Sequence, residues 1–235
     1  MTMNFIHRAA GLLGLLALCF SPCRAITTGF TNQADYVSAL SSGFSSLPML
    51  NFDGLASGTL IPSGAATQGI TFTYSLAGGW VMQVGSTFNT TSGNQYLGTT
   101  GDDAFLSGDQ FTMTFAQPVL AVGLFVISGG NNIAGDYTLS TALGSVASSG
   151  STDSTFGTLG DGGNVYFLGL VESDPTKSFT SATFSSMGGL GVPFNIDDIA
   201  TAKAKSRNAV PDEASTCAML LGACAGLIAL RRRSA

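Results

Sequence analysis

Short runs of alternating apolar and polar residues, separated by glycine-rich turns, limit the folds open to this chain more than any other feature. Phe111, Met113 and Phe115 alternate with two threonines, and Phe194 and Ile196 repeat the pattern later in the chain. A period of two is typical of strands with one buried face. Glycine accounts for 31 of the 235 residues, and its clusters with Ser and Asn between the runs indicate turns. The middle of the chain is therefore predicted to be β-structure.

Strand-like runs fill the segment from Thr27 to Ala209, and a single helical pattern follows a capping residue at Asn32. The run 119–127 is apolar on both faces of a strand, which predicts a central strand covered on both sides. The predicted strands cover 47–52, 69–76, 80–84, 110–115, 119–127, 136–142, 164–171, 178–184 and 194–199. We expect an all-β fold, a two-sheet antiparallel jelly-roll-like sandwich with a short N-terminal helix.

Charge and the placement of cysteine and histidine exclude several functions. Between Ile26 and Ala209 the chain has four basic and twelve acidic residues, a net charge of −8. A surface of that sign repels phosphate backbones, so no nucleic-acid partner is expected. All four cysteines and the only histidine lie outside this segment. A domain without the two ends therefore has no disulfide, no Cys/His zinc site and no histidine-based catalytic triad.

The first 25 residues have the pattern of a signal peptide. Two basic residues precede an apolar run from Ala9 to Phe20, and Ala25 provides a small residue before a cleavage site. A membrane anchor is the alternative, but the run is short for a bilayer span. The chain is therefore divided into a signal peptide over 1–25, a β-sandwich domain over 26–202, a linker over 203–209 and a C-terminal tail over 210–235.

The tail combines a short motif, an apolar segment and a basic end. The apolar segment predicts a C-terminal transmembrane helix over about 214–230. The arginines after it place the C-terminus on the cytoplasmic side by the positive-inside rule. The residues that carry the pattern are Val210, Pro211, Asp212, Ser215, Thr216, Arg231, Arg232 and Arg233.

In order, spacing and position this tail resembles a PEP-CTERM sorting signal, in a variant that has Val-Pro-Asp as its motif. The resemblance implies processing by an exosortase-like membrane transpeptidase. It also implies passage through the inner membrane and a final place on the cell surface or outside the cell. A plain tail anchor is the alternative. The motifs from NFDGL at 51–55 to FNIDDI at 194–199 loosely resemble the β-sandwich domains of PEP-CTERM proteins, many of which resemble carbohydrate-binding jelly rolls.

Three acidic residues form the candidate metal site. Asp53 lies near the start of the predicted sandwich, and Asp197 and Asp198 lie in its last strand. First and last strands are often neighbours in jelly rolls, so these carboxylates could share a calcium ion with backbone carbonyls. The alternative is that Asp53 caps a turn and that one of the other two faces water. Asp102 and Asp103 form a second candidate pair, with a solvated loop as the alternative.

Trp80 is the only tryptophan and the candidate ligand-binding residue, because a sugar-binding face uses flat rings for stacking. The alternative is a core position, as for most aromatic residues in strands. No recognisable acid and base pair is present, so we expect no enzyme activity. The expected function is that of a structural or adhesive surface protein associated with exopolysaccharide or biofilm. A calcium-assisted carbohydrate-binding module is the alternative, and no cofactor other than calcium is expected.

Overall fold

The computed structural model describes residues 26–41, 43–187 and 192–205. This part of the chain forms fourteen β-strands, one α-helix, α1 (Gln33–Leu40), and a short 3₁₀ turn at Ala77–Gly79. In chain order the strands are β1 (Thr27–Phe30), β2 (Phe44–Ser46), β3 (Leu60–Ile61), β4 (Ala66–Thr67), β5 (Ile70–Tyr74), β6 (Met82–Gly85), β7 (Tyr96–Thr99), β8 (Gln110–Val119), β9 (Ala121–Ser128), β10 (Ala134–Ser140), β11 (Ser145–Ser149), β12 (Asn164–Glu172), β13 (Phe179–Ser186) and β14 (Phe194–Ala204).

The strands form two sheets in which neighbouring strands are antiparallel. The larger sheet has the order β1-β12-β9-β14-β7-β6-β3, and β2 pairs with the second half of β14. The smaller sheet has the order β11-β10-β13-β8-β5-β4. The prediction of two antiparallel sheets with one short helix is confirmed.

The main core lies between the two sheets. Phe111 and Phe184 of the smaller sheet stack with ring centroids 5.2 Å apart, and Phe184 meets Phe194 of the larger sheet at 5.6 Å. All three side chains are buried. Burying a phenylalanine side chain contributes about 1.5–3 kcal/mol to folding, so these contacts are a major reason for the sheets to face each other.

Strand β9 is covered on both faces, as its apolar sequence predicts, and all eight of its residues are buried. Val122, Leu124 and Val126 join the core between the sheets, whereas Phe125 and Ile127 join a second cluster on the outer face. Helix α1 covers part of that outer cluster. Its first turn is capped by the side chain of Asn32, as expected, and Tyr36 packs on Phe167 with ring centroids 5.2 Å apart.

Some local predictions were wrong. Of the predicted strand at 47–52, only Leu50 forms a bridge, to Ile199, and the strand on that edge is β2. Strand β8 extends beyond its predicted end at residue 115, through Pro118, before the chain bends into β9. Strands β7 and β11 were missed because Gly98 interrupts the alternation of β7 and because β11 has Val146 as its only large apolar residue.

The register of the larger sheet defines two opposite ends of the sandwich. Along β9, Ser128 pairs with the first residues of β12 and β14, whereas Ala121 pairs near their last residues. We call these the Ser128 end and the Ala121 end. Because Thr27 pairs with the last residue of β12, both the beginning of β1 and the end of β14 lie at the Ala121 end.

The tail predictions lie outside the described residues. A boundary between two compact units falls after Ala204, two residues beyond the predicted end of the sandwich domain. The signal peptide over 1–25, the transmembrane helix over about 214–230 and the sorting residues are not part of the described structure. Within the described residues, no helix has the length and apolar character needed to cross a membrane.

Candidate functional site

An open cleft of about 530 Å³ lies at the Ser128 end. Its wall combines the end of β9, the start of β14, the turn before β12, the segment between β7 and β8, and one side chain from the loop between β6 and β7. The lining residues are Phe88, Asp102, Ala104, Leu106, Ile127, Ser128, Gly129, Asp161, Gly162, Gly163, Pro193 and Asn195. The cleft has the volume expected of a small-molecule site.

Phe88 is the exposed aromatic side chain of this cleft. It lies in the loop over residues 86–95, which joins β6 to β7, and 42% of its surface is exposed. Among the large apolar side chains of the described residues that are exposed, it is the only aromatic one. Its ring lies 6.0 Å from that of Tyr96, and it also lines a smaller neighbouring cavity of about 270 Å³. The ring therefore offers a ligand an apolar surface that is already exposed in the folded chain.

Two carboxylates line the cleft. Asp161 holds the turn before β12, because its carboxylate accepts hydrogen bonds from the backbone N–H of Gly163 at 3.1 Å and of Asn89 at 2.7 Å. The second bond ties the 86–95 loop to the cleft wall. Asp102 is exposed and adopts a left-handed backbone conformation with φ of 56°. These side chains can accept hydrogen bonds from a ligand.

Asp103, the other member of the predicted Asp-Asp pair, faces the loop and not the cleft. Its carboxylate accepts hydrogen bonds from the hydroxyls of Tyr96 at 2.6 Å and Thr87 at 2.8 Å. Burial and this carboxylate raise the pKa of the Tyr96 hydroxyl. Asp102 and Asp103 thus have different surroundings, and they do not act together as a pair of ligands toward one point.

Asp197 and Asp198 lie at a bulge in the last strand. Asp197 pairs with Phe125 and Ala200 with Gly123, so β14 has one more residue than its partner in this interval. Asp198 has a φ of 49°, the left-handed conformation that such a bulge can require. Both side chains are buried, Asp197 completely. Folding thus removes two adjacent carboxylates from water in the middle of a strand.

The 86–95 loop supplies the donors for this buried pair. Asp197 accepts a hydrogen bond from the backbone N–H of Thr91 at 2.9 Å, and Asp198 accepts one from the hydroxyl of Ser92 at 2.6 Å. The hydroxyl oxygen of Thr91 lies 2.8 Å from Oδ2 of both carboxylates. It has one hydrogen and can donate to only one of them at a time. The other contact is a hydrogen bond when that carboxyl carries a proton and donates to the hydroxyl.

The electrostatics of the pair agree with such a shared proton. Burial, and after it the charge of Asp198, raises the pKa of Asp197 to about 7. Burial also raises the pKa of Asp198, while its bonds from Ser92 and Thr91 act in the opposite direction. The pair therefore changes its charge close to neutral pH.

Asp53 holds the far side of the same loop. Its Oδ1 accepts hydrogen bonds from the backbone N–H groups of Asn94 at 2.9 Å and Gln95 at 3.1 Å. Its charge adds to the rise in the pKa of Asp198. The structure thus brings the three predicted acidic residues to one loop, because the chain before Asp53 runs beside β14 through the bridge from Leu50 to Ile199.

As candidate calcium ligands, these three residues fit only in part. Within the described ranges, no three acidic, histidine or cysteine side chains are arranged so that they could hold one metal ion. The carboxylate oxygens of Asp53, Asp197 and Asp198 instead accept bonds from the loop. The adjacent pair Asp197 and Asp198, which has no basic partner among the described residues, is the part of the cluster that could hold a cation, with a loop hydroxyl or carbonyl as a further oxygen ligand.

Trp80 lies away from the cleft, just after the 3₁₀ turn. Its side chain is partly buried and packs against the core between the sheets. Gly101 lies against its ring so closely that any side chain there would overlap with it. Its use as a stacking surface stays a prediction, and the structure offers Phe88 as a more exposed ring.

Phe88 was missed because sequence reasoning gave weight to the rarer tryptophan. The signal was present, since Phe88 is the only aromatic residue in a polar stretch, Ser-Thr-Phe-Asn-Thr-Thr-Ser, where no strand pattern places it in a core. The sorting residues from Val210 to Arg233 lie outside the described residues, so nothing in the structure bears on them.

Comparison with known proteins gives little further information. No protein-family model matches the chain, and no curated protein matches it. Among solved structures, it is similar to the catalytic domain of a GH87 alpha-1,3-glucanase in complex with tetrasaccharides, with 15% identity and a TM-score of 0.29. The match covers 67% of this chain but only 31% of that one. A likeness at this level carries no argument about fold or function.

Proposed function

We propose that this chain is an exported cell-surface or extracellular-matrix protein with a structural or adhesive role in exopolysaccharide or biofilm. In this proposal the signal peptide directs export, and the tail with its transmembrane helix over about 214–230 holds the chain in the inner membrane. An exosortase-like transpeptidase then processes the tail. The observation that carries the binding role is the open cleft at the Ser128 end, with an exposed ring and acceptor groups on its wall.

The positions of the chain ends support this role. Both β1 and β14 meet the rest of the chain at the Ala121 end, opposite the cleft. Ala204, the last residue of β14, therefore lies at the end of the sandwich opposite the cleft. We propose that the domain is held through the linker predicted over 203–209 and presents its cleft to the surroundings.

A binding role is also favoured over catalysis. The described residues include no histidine or cysteine, and the carboxylates of Asp53, Asp197 and Asp198 accept hydrogen bonds from the 86–95 loop. Hydrolysis of a polysaccharide by the exported chain, abolished by Asp161→Asn or Asp197→Asn, would overturn this part of the proposal.

Cell fractionation tests the proposal. Matrix, outer-surface and inner-membrane fractions are compared by immunoblot, before and after the exopolysaccharide is depleted. We expect the chain in the matrix fraction, and we expect depletion to release it into the medium. A chain found only in the inner membrane, or one whose place does not change on depletion, contradicts the proposal.

A calcium-assisted carbohydrate-binding module is the second candidate. The observation that favours it is the buried pair Asp197 and Asp198 with Asp53 nearby and no basic residue among their hydrogen-bond partners. Calcium at the pair would neutralise charge and hold the 86–95 loop, which lines the cleft through Phe88. A glycan array with and without calcium separates the candidates, because only the second requires the ion for binding.

A further inference from the structure

We propose that the cleft at the Ser128 end binds a neutral pyranose unit of a polysaccharide, with one face of the sugar ring on Phe88 and its hydroxyls on Asp102 and Asp161. This inference rests on the proposed association with exopolysaccharide and names the site and the ligand class. Calcium has no part in it.

Phe88 supplies the apolar half of the recognition. A pyranose ring has one face made mainly of C–H groups, which pack on aromatic rings through apolar contact and the negative face of the ring. Phe88 is exposed, whereas most of the aromatic side chains in the strands are buried. Ala104, Leu106 and Ile127 add apolar lining to the same cleft.

The carboxylates supply the polar half. Sugar hydroxyls are donors, and carboxylate oxygens are strong acceptors for them. Asp102 has no hydrogen-bond partner among the described residues, so its oxygens are available to a ligand. Asp161 uses one bond on each oxygen to hold the turn and the loop, and each oxygen retains a further lone pair.

Charge selects among polysaccharides. None of the described residues that line the cleft is basic, and Lys177, between β12 and β13, and Lys203, beside β2, lie toward the Ala121 end. A uronate or sulfate group in the cleft would lie beside two carboxylates without a compensating cation, which is unfavourable. The cleft therefore favours neutral sugars over acidic ones.

The loop that carries the Phe88 ring is held in place before a ligand binds. The 86–95 loop is fastened on both sides of Phe88, by Thr87 to Asp103 at 2.8 Å and by Asn89 to Asp161 at 2.7 Å. A ring fixed in this way loses little conformational entropy when a sugar packs on it. A loop held in place before binding is what a stacking surface requires.

Affinity electrophoresis tests the inference. The exported chain, purified from the cell surface as wild type and as variants, migrates through gels that contain dextran, alginate or chitosan oligosaccharide. We expect retardation by the neutral dextran and none by the acidic alginate. Phe88→Ala should weaken the apparent affinity about tenfold, Phe88→Trp should retain it, and Asp102→Ala should weaken it by a smaller factor. The matched control is Met49→Ala, because Met49 is also 42% exposed and does not line the cleft.

Four results would overturn the inference: retention of Phe88→Ala equal to wild type, an equal loss in Met49→Ala, stronger retardation by alginate than by dextran, or binding to chitosan alone. Thermal unfolding of each variant separates a binding defect from misfolding. Phe88, Asp102 and Met49 are all exposed, so we expect these substitutions to leave the fold intact. If the chain is recovered from the matrix but binds no neutral polysaccharide, the cleft assignment fails and the proposed function stands. If it binds dextran but is absent from the matrix, the cleft assignment stands and the proposed function fails.

Discussion

The Ala121 end of the sandwich carries Lys177 and Lys203 and the two points at which the chain enters and leaves the fold. The Ser128 end carries the cleft, with Asp102 and Asp161 on its wall and no basic residue among its described lining residues. The two ends therefore differ in charge, and the cleft lies opposite the beginning of β1 and the end of β14.

Buried carboxylates toward the two ends of the sandwich also have different hydrogen-bond partners. Toward the Ala121 end, Glu172 accepts one hydrogen bond on each oxygen, from the hydroxyl of Thr27 at 2.7 Å and the backbone N–H of Asp174 at 2.8 Å. Asp197, on the other half of the sheet, shares the Thr91 hydroxyl with a second carboxylate. Glu172 fastens two strands, whereas the acidic pair fastens a loop in a manner that depends on a proton. The predictions below test this difference between the ends.

The largest expected difference between the Ser128 end and the Ala121 end is in the packing of the core. Phe194 at the Ser128 end contacts the rings of Phe105, Tyr137 and Phe184, whereas Phe179 at the Ala121 end contacts only the Phe115 ring among the described aromatic residues. We expect Phe194→Ala to lower the free energy of unfolding by about 4 kcal/mol and Phe179→Ala by about 1 kcal/mol less. Urea unfolding measures both. An equal or larger loss for Phe179→Ala would show that the Ser128 end is not the better packed one.

The second largest effect is expected in the pH dependence of the free energy of unfolding. Asp197 has its pKa raised to about 7 in the folded chain, against about 4 when unfolded. Its contribution is fully present below about pH 4 and is lost as the pH rises through 7, because the folded chain binds the proton more tightly. We expect the free energy of unfolding to fall by on the order of 3 kcal/mol over this interval.

The variant Asp197→Asn provides the control for that prediction, since its amide has no proton to lose in this range. Its free energy of unfolding should change less between pH 4 and pH 8 than that of the wild type. Glu172→Gln, at a buried carboxyl group toward the Ala121 end, should leave the pH dependence that comes from Asp197 unchanged. The same pH profile in wild type and Asp197→Asn would contradict the shared-proton account of the pair.

Calcium should have a smaller effect. If the ion binds the ionised pair at pH 8, saturation at ten times its dissociation constant raises the free energy of unfolding by about 1.4 kcal/mol. The melting temperature with calcium and with chelator measures this. Asp198→Asn should remove the difference, while Asp102→Asn should retain it. An unchanged melting temperature in wild type would remove calcium from the account and leave the hydrogen-bonded loop.

The smallest effect is expected for the lysines. Lys203→Gln is a change at an exposed position of the Ala121 end, and such changes usually alter stability by less than about 0.5 kcal/mol. It should also leave retardation in dextran gels unchanged. Loss of binding in this variant would place the ligand at the wrong end of the sandwich for our account.

Sequence patterns predicted the parts of the fold that depend on regular burial. The alternation in β8 and the two-sided apolar character of β9 were sufficient, because each position in a strand has a defined face. Asp53 approaches Asp197 and Asp198 through the bridge from Leu50 to Ile199, and not through pairing of the first and last strands, since β1 pairs with β12. The conformation of the 86–95 loop did not follow from the sequence either, since it is set by contacts with Asp103, Asp161 and the acidic pair.

The cleft was not predictable for the same reason. Its wall collects side chains from five separate segments, and their meeting depends on the register of β14 with β9 and β7. The polar stretch around Phe88 indicates that this residue lies outside the core, but the sequence does not show which segments it meets in the folded chain. Trp80 was chosen on rarity, a property that says nothing about which face of a side chain is free.

The most direct test of the central claim, that this sandwich is released from its tail and acts at the surface, is the intact mass of the chain recovered from the cell surface. The account predicts a form that begins near Ile26 and ends near Val210 to Asp212. A surface form that retains Arg231, Arg232 and Arg233 would contradict it and make the tail a plain membrane anchor.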